Sequence, residues 1–150
     1  MRVGDLAPDF TLPDQGGEAV RLSELVGKKN VVLYFYPKDS TPGCTAEARA
    51  FRDAYDTFTA ADTEVVGVSS DSIKSHKRFA ARHQLPFRLL SDQDGAVRAL
   101  YGVERTLGIL PGRVTYVIDR DGVVQHVYSS QLAATRHVRE ARQALRCMVP

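Results

Sequence analysis

Residues 31 to 36, Val-Val-Leu-Tyr-Phe-Tyr, form an unbroken apolar run rich in β-branched and aromatic side chains, closed by Pro37. A strand that is apolar at both alternating sets of positions must be covered on both faces, so this segment predicts an interior strand with helices above and below it. Pro37-Lys-Asp-Ser-Thr-Pro-Gly43 is dense in turn formers and hands over to a helix. From Cys44 the apolar positions Ala48, Phe51, Tyr55 and Phe58 follow at spacings of four and three, one stripe on a helical cylinder that fades near Ala61.

A second interior strand is predicted over Glu64 to Ser70, and a helix over Ile73 to His83 after the capping candidates Asp71 and Ser72. A short strand fits Phe87 to Leu90, and one or two helical turns fit Gly95 to Tyr101. Val114 to Ile118 and Val123 to Tyr128 flank Asp119-Arg-Asp-Gly122, a hairpin signal, and a helix is expected over Leu132 to Arg146. A parallel β-α-β start joined to a terminal hairpin and helix is the order of a thioredoxin-like α/β fold, a central mixed sheet flanked by helices, here with an N-terminal extension. The 150 residues suit a single domain.

Composition narrows the function classes. The 20 basic and 18 acidic residues are interleaved along the chain, which suggests neither a nucleic-acid nor an anionic-membrane partner. No stretch resembles a signal peptide or a membrane span, and two cysteines more than a hundred positions apart make no disulfide framework, so a cytoplasmic location is expected. His76, His83, His126 and His137 stand at no metal-ligand spacing with Cys44 and are read as surface residues, so no metal is expected. Tyr34, Phe35, Tyr36, Phe51, Tyr55 and Phe58 are assigned to the core.

Cys44 carries the chemistry. With Thr41 as N-cap and Pro42 at the first helical position, the cysteine falls at the third, where unpaired N–H groups and the helix dipole favour an anion. A free thiol of pKa about 8.5 is roughly 3% ionised at pH 7, and reaching about 90% requires about 3.4 kcal/mol. A helix terminus supplies about 0.3 to 1 kcal/mol, or about 2 when partly buried. A cation is therefore needed; the candidate arginines are many and most are scattered on helices, whereas Arg113 is placed differently, directly before an interior strand. The Thr41 hydroxyl, the N–H groups of Gly43 and Cys44, and the Arg113 guanidinium then form a donor set suited to a small oxygen-rich electrophile such as a peroxide.

Pro37-x-x-x-Thr41-x-x-Cys44 resembles the peroxidatic motif of the peroxiredoxins, and residues 34 to 45 resemble their bacterioferritin comigratory protein (thiol peroxidase Q) subfamily. Gly4 to Leu12, Val65 to Asp71 and Gly112 to Asp119 extend the similarity over nearly the whole chain. The resemblance implies that Cys44 is the peroxidatic nucleophile, that Thr41 and Arg113 activate the peroxide, that Pro37 shields the pocket and that Glu47 supports it. It implies a hydroperoxide substrate, no bound cofactor, a thioredoxin-like or glutaredoxin-like thiol reductant, and a monomer or weak homodimer.

One position departs from the pattern. Many subfamily members carry a resolving cysteine five residues after the nucleophile, where this chain has Arg49, and none occurs over Ile73 to His83. Cys147 remains, leaving three readings: a one-cysteine enzyme recycled by an external thiol, resolution by Cys147 within or between chains, or Cys147 as a bystander. A thioredoxin-type oxidoreductase would want a Cys-x-x-Cys pair that Ala46, Glu47 and Ala48 do not supply. A redox-sensing binding module stands as a non-enzymatic alternative.

Overall fold

The computed structural model describes residues 1–103, 112–130 and 134–148. The N-terminal extension contains a short antiparallel pair, β1 (Thr11–Pro13) and β2 (Ala19–Arg21), leading into the single-turn helix α1 (Leu22–Val26). The interior strand follows as β3 (Asn30–Phe35), then α2 (Pro42–Asp53), α3 (Tyr55–Ala60), β4 (Thr63–Ser69) and α4 (Ile73–His83). β5 (Arg88–Ser91), α5 (Ala96–Leu100), β6 (Val114–Ile118), β7 (Val124–Ser129) and α6 (Arg136–Met148) complete the described elements.

The sheet has the order β5-β4-β3-β6-β7. β3 pairs parallel with β4 and antiparallel with β6, so the sheet is mixed and β3 lies at its centre. Its alternation divides two cores. Val32, Tyr34 and Tyr36 face a cluster with Phe51, Phe58, Phe79, Ala141 and Leu145, drawn from α2, α3, α4 and α6. Val31, Leu33 and Phe35 face the other, with Phe10, Leu22, Val97 and Tyr101 from the extension, α1 and α5. The two-sided burial expected of residues 31 to 36 is thereby met.

Three expectations need correction. The stripe from Cys44 to Ala61 is carried by two helices that meet at Ala54 (φ −96°, ψ 3°). Phe58 N still donates to Ala54 O, so Phe51 and Phe58 keep a common face, and neither glycine nor proline marks the break in the sequence. Of the capping candidates, Ser72 caps α4 by accepting from Ser75 N, whereas Asp71 accepts from Asp39 N. Two of the four histidines are not surface residues: His76 and His137 are completely buried, while His83 and His126 are half-buried at the surface. An imidazole can be buried when both nitrogens find partners, and those of His76 meet Asp39 Oδ2 at 2.7 Å and the Leu90 carbonyl at 2.9 Å. The loop of residues 104–111 and residues 132 and 133, expected to open the last helix, lie outside the described residues.

Candidate active site

α2 begins where β3 ends, with Pro42, Gly43 and Cys44 as its first three residues. Thr41 has the extended backbone of an N-cap, but its side chain does not cap the helix. The Thr41 hydroxyl donates instead to the Lys38 carbonyl at 2.8 Å. The N–H groups of Gly43 and Cys44 are thus left to whatever anion or oxygen approaches the helix start. With its hydrogen engaged, the Thr41 hydroxyl presents lone pairs, an acceptor rather than the expected donor.

Arg113 immediately precedes β6 and stands on the same sheet face as Thr115 and Val117, which places it over β3 on the side of Tyr34 and Tyr36. Arg113 Nη2 donates to Cys44 Sγ at 3.3 Å and Nη1 to Glu47 Oε1 at 2.5 Å. All three groups are buried, with Cys44 only 1% exposed. Burial works against the guanidinium charge, but Glu47 and Cys44 more than offset it and hold the Arg113 pKa above its ordinary value. Burial pushes the Glu47 carboxyl up to about 8, with Arg113 pulling the other way. Gly43 makes this closeness available: a Cβ there would stand 3.1 Å from Arg113 Nη2.

A second ring of residues, which sequence reasoning missed, holds these groups. His137 Nδ1 lies 3.7 Å from Glu47 Oε2 and accepts from the Thr115 hydroxyl at 2.7 Å, while Nε2 donates to Ser130 O at 2.8 Å. Burial, with Arg113 adding to it, lowers the His137 pKa to about 4 against the opposing Ser130 bond, so the ring is neutral at pH 7. Ser130 N donates to the Arg113 carbonyl, tying β7 to the arginine backbone. On the other side, Asp39 accepts from the Tyr36 hydroxyl at 2.6 Å, from Ser75 Oγ at 2.9 Å and from His76. These bonds fix the Pro37–Thr41 turn, in which Ser40 adopts φ 63°. Asp39, Asp71 and His76 lie close enough to suggest a metal site, but both His76 nitrogens are already engaged.

The family model described as AhpC/TSA matches residues 3–127. The chain is a peroxiredoxin of the AhpC/TSA family. The chloroplastic peroxiredoxin Q of Sedum lineare is 52% identical over 146 residues, covering 97% of this chain and 78% of that one. That of Arabidopsis thaliana is 51% identical over 144 residues, covering 95% and 66%. Among solved structures, the peroxidoxin BcpB of Mycobacterium tuberculosis superposes with TM-score 0.93 at 42% identity over 100% of this chain and 99% of its own. The bacterioferritin comigratory protein of Xanthomonas campestris gives 0.84 at 31%, covering 99% and 97%. The thioredoxin-like architecture and thiol-dependent peroxidase activity expected from the sequence follow from this membership.

The other residues singled out in this peroxiredoxin are placed as follows. Pro37 is half-buried at the mouth of the turn after β3. Cys147 is exposed, ten residues beyond His137 on α6, or about 15 Å along the helix axis from the Glu47 contact. It lines a surface groove with Gln125, His126 and Met148, and Met148 lines another with Asn30, the first residue of β3. Cys44 lies past the last residue of that strand, so the two thiols sit toward opposite ends of the sheet. A disulfide needs Cα atoms within about 7 Å. No helix among the described residues is long and apolar enough to cross a membrane.

Proposed function

We propose that Cys44 is the peroxidatic nucleophile and that its sulfenic acid is reduced by an external thiol. The observation that carries the reading is the Arg113 guanidinium donating to Cys44 Sγ at 3.3 Å while Glu47 holds its other arm. A thiolate at that sulfur attacks one oxygen of a hydroperoxide in line with the O–O bond. The second oxygen leaves with the bond's electron pair, takes up a proton and departs as water or alcohol, leaving Cys44–SOH. Arg113 Nη2 and the N–H groups of Gly43 and Cys44 stabilise the charge growing on the leaving oxygen. Thr41 orients the attacking peroxide by accepting its O–H, and Pro37 shields the pocket. Hydrogen peroxide and small organic hydroperoxides both fit this donor set.

The remoteness of Cys147 supports a one-cysteine cycle, in which a dithiol of thioredoxin or glutaredoxin type supplies two electrons. Two free thiols, one of them exposed, support residence in a reducing compartment, of which the cytoplasm is one. Val3, Leu6 and Leu100 are the large apolar side chains exposed among the described residues, which supports a monomer or a weak homodimer.

The test is peroxide consumption with dithiothreitol by the wild type, Cys44→Ser and Cys147→Ser, with mass spectrometry of the oxidised protein. Loss of turnover in Cys44→Ser alone, and one added oxygen on Cys44, are expected. Unchanged turnover in Cys44→Ser overturns the assignment, and a Cys44–Cys147 bridge formed during turnover, within one chain or between two, overturns the one-cysteine cycle.

A further inference from the structure

The helices on the Cys44 side of the sheet, α2, α3, α4 and α6, carry ten basic residues against four acidic ones, a net charge of +6. The whole chain carries +2, so everything outside these helices sums to −4. α4 is the extreme case, with Lys74, Lys77, Arg78 and Arg82 and no acidic residue. All four are exposed and make no ion pair with any described residue. α2 continues the surface with Arg49 and Arg52, the latter donating to the His83 carbonyl at the end of α4. Arg82, Arg49 and Arg52 lie near enough to His83 to add to the lowering of its pKa by burial. Cys44 opens the helix on which Arg49 and Arg52 stand, so this positive surface borders the reacting sulfur.

We infer that the α2–α4 face is the docking surface for the reductant, and that it selects a dithiol protein carrying acidic residues around its thiols. The inference rests on the external-thiol cycle proposed above. In that cycle a partner thiol attacks Cys44 Sγ of the sulfenic acid and releases water as a mixed disulfide forms. The partner's second thiol then breaks that bond, so the partner leaves oxidised and Cys44 returns as a thiol. The partner must approach across the α2 N-terminus, where a field of one sign raises the encounter rate of an oppositely charged surface. An acidic partner also suits the four α4 cations, which have no acid of their own among the described residues, whereas Arg52 on α2 is paired with Asp53.

The probes are two synthetic peptides of equal length bearing the same Cys-Gly-Pro-Cys dithiol, one flanked by glutamates and the other by lysines. Turnover is measured on the wild type and on the K77E/R78E/R82E variant, with dithiothreitol as the uncharged reductant. The glutamate peptide is expected to exceed the lysine peptide by about tenfold or more in kcat/KM at low salt, with the ratio collapsing toward one as ionic strength rises. Charge reversal is expected to invert the order and leave dithiothreitol-supported turnover unchanged. K77Q/R78Q/R82Q, a gentler change, is expected to level the two peptides. Equal rates in the wild type, or a glutamate preference that survives charge reversal, overturn the inference. So does micromolar binding of a short duplex DNA to the same face with the peptides indistinguishable, which assigns the surface to nucleic acid. Absence of Cys44-dependent turnover with dithiothreitol defeats the underlying cycle instead, so the two failures are distinct.

Discussion

Gly43 and Arg113 are in near contact: a side chain on the glycine would begin 3.1 Å from the Nη2 atom that donates to Cys44. Gly43→Ala therefore pulls stability and activity in opposite directions. Alanine at the second helical position reduces the freedom of the unfolded chain and is worth about 0.4 to 1 kcal/mol. Its methyl group displaces the guanidinium by a few tenths of an ångström, and peroxide reduction is expected to slow about tenfold. Thermal unfolding and stopped-flow oxidation on the same preparation check both signs.

Arg113 and Glu47 form a buried pair at 2.5 Å, so removing one leaves the other without its partner. With Glu47 raised to about 8 and so largely protonated at pH 7, Arg113→Met alone leaves a neutral buried carboxyl without its partner and is expected to cost about 1 to 3 kcal/mol of stability. The double variant Arg113→Met/Glu47→Leu is expected to recover most of that, since both buried polar groups are gone. Neither variant regains peroxidase activity, because the cation at Sγ is absent from both. Urea unfolding beside peroxide turnover separates the two effects.

Glu47 also imposes a pH slope. Its carboxyl titrates at about 8 in the folded protein and near 4.5 otherwise, so between these values the native state holds a proton that the unfolded chain has released. The stability this contributes is complete below about pH 4.5 and is lost as pH rises toward 8, by up to about tenfold in the unfolding constant per pH unit. Glu47→Gln is expected to flatten that part of the curve. Unfolding midpoints of both proteins across this range, taken as a difference, measure it.

His76→Leu removes the imidazole nitrogens that meet Asp39 Oδ2 and the Leu90 carbonyl. Asp39 would then be buried with less support, and a loss of about 3 kcal/mol is expected. His76→Asn, whose amide nitrogen falls near the place of Nδ1, is expected to recover part of it. Because Asp39 anchors the turn that carries Pro37 and Thr41, the peroxide rate should follow the same ranking.

The parts of this fold written as periodicity were open to reading. Residues 31 to 36 announced β3 through two-sided apolarity, α4 was bounded correctly from Ile73 to His83, and the Asp119–Gly122 turn marked the hairpin. β1 and β2, at three residues each, are too short to show a period. His76 and His137 escaped because a polar side chain on an apolar stripe reads as exposed unless its partners are known, and those partners lie on other elements. The contact between Cys44 and Arg113 spans 69 positions and was approached only through the need for a cation. Charge was the least legible property: signs interleaved along the chain give the helices on the Cys44 side their net +6 only once the fold brings those helices together.

On the proposed one-cysteine cycle, the distance between Cys44 and Cys147 sets the terms of survival for the enzyme. A sulfenic acid with a neighbouring thiol is rescued within its own molecule. One left alone waits in line for a donor, and each further peroxide that arrives first carries it up to sulfinic acid, from which ordinary thiols cannot return it. The lifetime of every copy is then a race between oxidant and donor, so the supply of that donor, rather than the speed of the first attack, governs how many turnovers a molecule completes.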